Sequence, residues 1–266
     1  MGFVDPFVLL VAATVAMQLA MAGLWAIQTH SRNASIADVG WCFGLVLVVA
    51  WYGWGAQGEV ERKVLLTIMA AVYGLRLGTY ILINRVLGKA EDARYQRLRR
   101  EWQLEKPAVM FGYFQLQALA VALFSLPFLV LMHNPRPVFS LWELAGVIVW
   151  TVGIVGEAAA DRQLAQFRSK PWNRDRVCRE GLWHFSRHPN YFFEWVHWWA
   201  YVTMGLGLHA MNWWVTWIGP VVMGVALIKI TGIPWAEEQA IRTRGDDYRR
   251  YQETTNAFIP WWPKTG

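Results

Sequence analysis

Residues 108–132 read AVMFGYFQLQALAVALFSLPFLVLM, twenty-five residues without one Asp, Glu, Lys, Arg or His. At ~1.5 Å of rise per residue, a helix of this length exceeds the ~30 Å of hydrocarbon in a bilayer. Working outward, six further apolar runs occupy residues 6–27, 36–56, 64–87, 141–160, 189–208 and 213–233. The 266-residue chain is 55% hydrophobic and only 17% charged, with a mean hydropathy of +0.23, which excludes an ordinary soluble domain. Many of its 18 tryptophans sit near the ends of the runs, where interfacial anchoring favours them. The expected fold class is an all-α integral membrane protein with seven transmembrane helices in a single domain, residues 1–266. It is multi-pass, in a bacterial inner membrane or an endoplasmic reticulum membrane. The first run lacks a basic flank, so it reads as a span and not as a signal peptide.

The segments between the runs alternate in charge. The first, third and fifth linkers and the C-terminal tail carry 19 Lys and Arg residues, and the other linkers carry 3. By the positive-inside rule, the N-terminus lies outside and the C-terminus in the cytosol. The net charge of +6 therefore follows the membrane sides, and nucleic acid is not an expected partner. Two cysteines, Cys42 and Cys178, give neither a disulfide framework nor metal spacing. Residues 89–106 alternate charges at helical spacing and read as a short surface helix, and the tail over 235–251 also reads as helical.

Polar residues inside apolar runs are costly, so each is a functional candidate. Tyr73, Arg76, Tyr80 and Asn84 recur at offsets of 3, 7 and 11, on one face of the third run. Asp38 opens the second run and needs a partner, which a tyrosine hydroxyl or Arg76 can supply. A structural polar network joining helices explains the same residues. Asp161 and Arg168, with Glu157 a turn earlier, share a face if the fifth helix continues past the bilayer. The alternative is a salt-bridge cluster at a helix end.

The richest stretch is residues 181–195, GLWHFSRHPNYFFEW. Pro189 suits the first turn of a helix, whose free N–H groups then face the cytosol and favour an anion. Arg176, Arg179 and Arg187 are close in sequence and add positive charge. Asn190, Glu194 and His197 form one polar stripe entering the membrane, interleaved with aromatics that include Tyr191. A helix cap with an aromatic belt accounts for the proline and tryptophans but not for Asn190 and Glu194. No G-x-G-x-x-G, Walker loop or zinc-ligand spacing occurs, so no metal is expected and any cofactor must be held by helix ends and loops.

The segment Arg187-His-Pro-Asn-Tyr191 with Glu194, and the tail from Gly245-Asp-Asp-Tyr248-Arg-Arg-Tyr251 to Phe258-Ile-Pro260, resemble the steroid 5α-reductase family. Its superfamily also holds sterol reductases and isoprenylcysteine methyltransferases. The resemblance is strongest over residues 153–260 and extends to Tyr73, Arg76, Tyr80 and Asn84-Arg85. It implies seven spans, with residues 1–132 on the substrate side and 133–266 binding the cofactor. It implies an NADPH site at Asp161, Arg168, Arg176, Asn190, Tyr191, Glu194 and Glu238, with Glu237 as the alternative acid in the loosely aligned tail. It implies that Tyr73 hydrogen-bonds the substrate carbonyl, that Asp38 is its acidic partner, and that Arg76 and Tyr80 contact substrate. Against the animal pattern, Glu157 replaces an amide and Asp175 a loop tyrosine.

The expected activity is an NADPH-dependent oxidoreductase that reduces the C=C bond of an α,β-unsaturated carbonyl in a steroid-like or isoprenoid lipid drawn from the bilayer. Hydride reaches the β-carbon, and Tyr73 with Asp38 stabilises the enolate oxygen. An S-adenosylmethionine-dependent lipid methyltransferase is the competing expectation, and a non-enzymatic transporter or scaffold is a third. Depth counting leaves one tension. Tyr73 precedes Arg85 by 12 residues, ~18 Å along a helix, whereas Asp38 sits near the start of its run. Oligomeric state is not legible in this pattern, and a monomer is the working expectation.

Overall fold

The computed structural model describes residues 4–135, 140–173, 175–208 and 212–264, and among them the regular structure is helical, without strands. Among the described residues, six helices are long and apolar enough to cross a membrane: Pro6–Ser31, Ile36–Gly55, Val60–Val86, Pro107–Met132, Leu141–Ser169 and Trp213–Thr254. The protein is a multi-pass membrane protein. The remaining expected span forms as a helix, Pro189–Leu206, but Asn190, Glu194 and His197 keep it below the apolarity of the other six.

Two compact units divide the chain. The first comprises Met1–Ser140 and Leu208–Ile218, the second Leu141–Gly207 and Gly219–Gly266. A short late segment thus joins the first unit.

The first unit is built from α1 (Pro6–Ser31), α2 (Ile36–Gly55), α3 (Val60–Ile81), α4 (Ala93–Glu101) and α5 (Pro107–Met132). On α1, Leu9, Ala13, Met17 and Met21 are buried while Phe7, Val11, Val15 and Leu19 are exposed. Both faces of that helix are apolar, as lipid on one side and protein on the other require. The helix α2 packs on α1, α3 and α5. Tyr52 and Ser125, both fully buried, share a hydrogen bond of 3.0 Å that ties α2 to α5. Arg62 is buried and donates to the Asn134 carbonyl (2.7 Å) just past α5, where a cation suits the negative end of the helix dipole. A π-helical turn, Leu82–Val86, ends α3, and Asn33 donates to the Arg85 carbonyl at 2.9 Å. The surface helix expected within 89–106 is α4, capped by Asp92, which accepts from the Arg94 amide.

The second unit contains α6 (Leu141–Ser169), α7 (Leu182–Phe185), α8 (Pro189–Leu206), α9 (Ile218–Val225) and α10 (Ile233–Thr254). Its core is the pairing of α6 with α8. Glycines on α6 receive α8 side chains and backbone. A Cβ on Gly153 would lie 2.7 Å from the His197 amide nitrogen, and one on Gly156 2.3 Å from the Phe193 ring. Small residues let membrane helices approach closely in this way. The helical tail expected over 235–251 is α10, interrupted at Gly245, whose φ of 52° is one that glycine adopts without steric cost. Beyond α10 the chain returns to the segment before α8. Arg187 N donates to Asn256 O, and Trp261 N donates to Phe185 O, each at 2.9 Å.

Candidate functional site

In the second unit, α6 continues unbroken from its apolar part to Ser169, so Glu157, Asp161 and Arg168 ride on one helix at the expected spacing. Pro189 opens α8, and His188, its N-cap, makes no side-chain cap bond. Asn190, in the first turn of α8, donates its Nδ2 to Asp161 Oδ1 at 3.2 Å. Its Oδ1 is buried without a hydrogen-bond donor. A buried acceptor left unmade costs about 1–3 kcal/mol. Glu157 and Glu194 are buried at 4% and 8% exposure. Arg168 and Arg176 are exposed, and Tyr191 stacks on His188 with ring centroids 5.4 Å apart.

Other basic residues near this stretch are already engaged. Arg187 pairs with Glu237 at 2.7 Å and donates to the Gln252 and Thr255 carbonyls. Arg179 pairs with Asp247 at 2.8 Å. Arg187 is therefore a clamp on the tail and not a spare charge for phosphate. Glu237 also accepts from Gln252 (2.7 Å) and lies 3.3 Å from His188 Nε2. Burial pushes the Glu237 carboxyl up, but bonds from His188, Arg187 and Gln252 and the Arg187 charge outweigh it and hold it at about 2. Burial also holds His188 below its ordinary value, despite Glu237. Glu238, the other candidate acid, pairs with Arg242 one turn on at 2.6 Å. Tyr251 donates to the Trp183 and Ser186 carbonyls, fixing the tail against the segment that leads into α8.

In the first unit, Tyr73 is 1% exposed and meets Trp41 edge-on with centroids 6.4 Å apart. Arg76 is half-buried on the same face, and Tyr80 is 46% exposed. Asn84 folds back onto the Tyr80 carbonyl at 2.8 Å. Asp38 is held differently from the expectation. Its Oδ1 accepts from the Tyr95 hydroxyl at 2.7 Å and its Oδ2 from Arg94 at 2.8 Å, both on α4. The reason is register. Val39 and Cys42 cluster with Ile81 at the end of α3, while Tyr73 lies two turns earlier on that helix, and the Asp38 carboxylate is met by the surface helix. Sequence reading missed Arg94, Tyr95 and Tyr113. The only signal was the amphipathic pattern of α4, which places Tyr95 and Leu98 on its buried side.

Among the described residues, no group of three or more His, Cys, Asp or Glu is arranged to hold a metal ion. No solved structure matches the chain. The uncharacterized protein C594.04c of Schizosaccharomyces pombe is 22% identical over 269 residues, covering 89% of this chain and 75% of the yeast protein. A family model described as a protein of unknown function, DUF1295, matches residues 24–255. With most of its length matched, the chain belongs to the DUF1295 family.

Proposed function

We propose that this protein is a membrane NADPH-dependent reductase of a conjugated enone in a steroid-like or isoprenoid lipid. Seven spans, with the N-terminus outside and the C-terminus in the cytosol, complete the reading. The observation that carries it is Asn190: one amide hydrogen is committed to Asp161 and the carbonyl oxygen is buried and unfilled. A carboxamide N–H of a nicotinamide matches that vacancy in type. Arg168 and Arg176 are exposed guanidinium groups, of the kind that phosphate pairs with. The buried carboxylates of Glu157 and Glu194 favour a ligand that gains positive charge as hydride leaves it. NADPH supplies the hydride when bound, and the protein supplies position and electrostatics.

On this reading the buried Tyr73 hydroxyl donates to the carbonyl oxygen of the enone as it becomes an enolate. Such a donor in a site closed to water contributes roughly 3–4 kcal/mol, or 10²–10³ in rate. Arg76 and Tyr80, on the same helix face, contact the substrate. Asp38 does not buttress Tyr73 directly, because its oxygens are committed to α4. A second reading, an S-adenosylmethionine-dependent lipid methyltransferase, draws support from Glu157 and Glu194, since buried carboxylates also suit a sulfonium.

Thermal stability of the detergent-purified protein with each cofactor separates the two. A ligand at 100 times its Kd stabilises by about 2.7 kcal/mol. NADPH is expected to raise the melting temperature, and Asn190→Leu to abolish the rise. Tyr73→Phe is expected to keep the NADPH shift and lose turnover. Stabilisation by S-adenosylmethionine and not by NADPH would overturn the reductase.

A further inference from the structure

The first unit holds a buried chain of hydrogen-bonded side chains that the candidate site does not use. It begins at Asp38, whose side chain is 19% exposed and whose partner Arg94 is 35% exposed. Tyr95, 1% exposed, donates to Asp38 at 2.7 Å. The Tyr113 hydroxyl reaches the Tyr95 hydroxyl at 3.3 Å, and Gln117 donates to Tyr113 at 2.8 Å. The two tyrosine rings meet edge-on with centroids 5.8 Å apart. Asp38 belongs to α2, Tyr95 to α4, and Tyr113 and Gln117 to α5, so three elements converge to build the chain. Gln117 lies ten residues into α5, ~15 Å along the helix from its start.

Polar side chains at that depth are expensive, and a merely structural bond would need one pair, not a series running inward. Each link is a group that both gives and accepts a proton, until the amide at the inner end. The charged and titratable groups around Asp38 are Arg94 and Tyr95 from α4 and Tyr113 from α5. Behind Arg94 stand Asp92, 3.4 Å from it, and Arg85, 3.3 Å from Asp92. Burial, and then the charge of Asp38, push the Tyr95 hydroxyl well above its ordinary value. The tyrosine therefore stays protonated and passes protons by exchanging hydrogen bonds, not by standing as a phenolate.

We propose that Asp38, Tyr95 and Tyr113, with Gln117 orienting the last hydroxyl, form a proton relay from the polar surface at Arg94 into the membrane interior. It would deliver the proton consumed in enone reduction. This rests on the reductase reading, in which the balance requires it. Hydride forms the new C–H bond at the β-carbon, and the C=C pair becomes an enolate. Closing the reaction then needs one proton at the α-carbon. Tyr113 releases its hydroxyl proton there and takes one from Tyr95, and Tyr95 takes one that enters from water by way of the Asp38 carboxylate beside Arg94. The hydroxyls reverse their orientation once per turnover.

The test uses the full-length protein in nanodiscs, with NADPH and 4-cholesten-3-one as the enone probe. Turnover is followed against pH and in H₂O and D₂O. Tyr113→Phe keeps the ring and removes the hydroxyl. It is expected to lower kcat roughly 10²-fold with KM unchanged, to enlarge the solvent isotope effect, and to be partly rescued by added imidazole. Asp38→Asn keeps an acceptor for Tyr95 but cannot carry a proton, and is expected to lose the pH profile of the wild type. Wild-type kcat, pH profile and isotope effect in both variants would sink the relay while leaving the reductase standing. A wild type that binds no NADPH and reduces no enone would overturn the reductase reading, and the relay with it.

Discussion

At the scale of single residues, the cluster of Arg187, Glu237, His188 and Gln252 sets how the protein responds to acid. Glu237 is held at about 2, below its ordinary value of 4.5, so its contribution to stability is complete above that ordinary value and is lost as pH falls toward 2. His188 is held below its ordinary value of 6.5 by burial, so the folded state resists its protonation, and stability also falls as pH drops below that value. Both groups act in the same direction. The melting temperature is expected to be level above neutrality and to fall in acid, with Glu237→Gln removing the steeper part below pH ~4.5. A melting temperature that rises on acidification would refute this. Residues of this kind were only half legible in the sequence. The spacing of Asp161, Arg168, Asn190 and Glu194 places each on its helix face, because helical period is local. The clamp is not local: Arg187 finds Glu237 fifty residues later, and nothing in the basic run announces that its charge is spent. Asp38 follows the same logic, since its partners lie on a helix 56 and 57 residues away.

At the scale of elements, the pairing of α6 and α8 depends on the absence of side chains at Gly153 and Gly156. A Cβ at Gly153 meets His197 backbone at 2.7–2.8 Å, and backbone cannot rotate away. Gly153→Ala is expected to destabilise the protein by about 1–3 kcal/mol through overpacking. Gly112, on α5, has nothing within 4 Å of its built Cβ, so Gly112→Ala is expected to be neutral or to stabilise by up to about 1 kcal/mol. Thermal unfolding of the two variants in one detergent checks the contrast, and equal effects would refute it. The existence of the long helices was plain from apolar run length. Their endings were not. The π-helical turns at Leu82–Val86 and Ala226–Ile230 rest on a local shift of hydrogen-bond register, which apolarity does not encode. The eighteen residues of α8 read as a span by eye, yet their indoles, amide and carboxylate leave the helix only moderately apolar.

At the scale of the whole molecule, basic residues alternate by linker, 19 against 3, and the proposed topology rests on that bias. Both native cysteines are buried, so an introduced cysteine reports alone to an impermeant maleimide. Gln57 and Gln103 are exposed in linkers of opposite type. In intact cells Gln57→Cys is expected to be labelled and Gln103→Cys protected; the reverse pattern would invert the proposed topology. The assignment of residues 208–218 to the first unit was not legible in the sequence, because their neighbours are distant in sequence. One consequence follows from the length of α6. At ~1.5 Å per residue its 29 residues span ~43 Å, about 13 Å more than the hydrocarbon of a bilayer. Asp161 and Arg168 ride on the overhang of a single rigid rod. Hydrophobic mismatch that tilts or sinks this rod also moves the polar pair relative to the headgroup layer, which makes membrane thickness itself a variable that acts on the site.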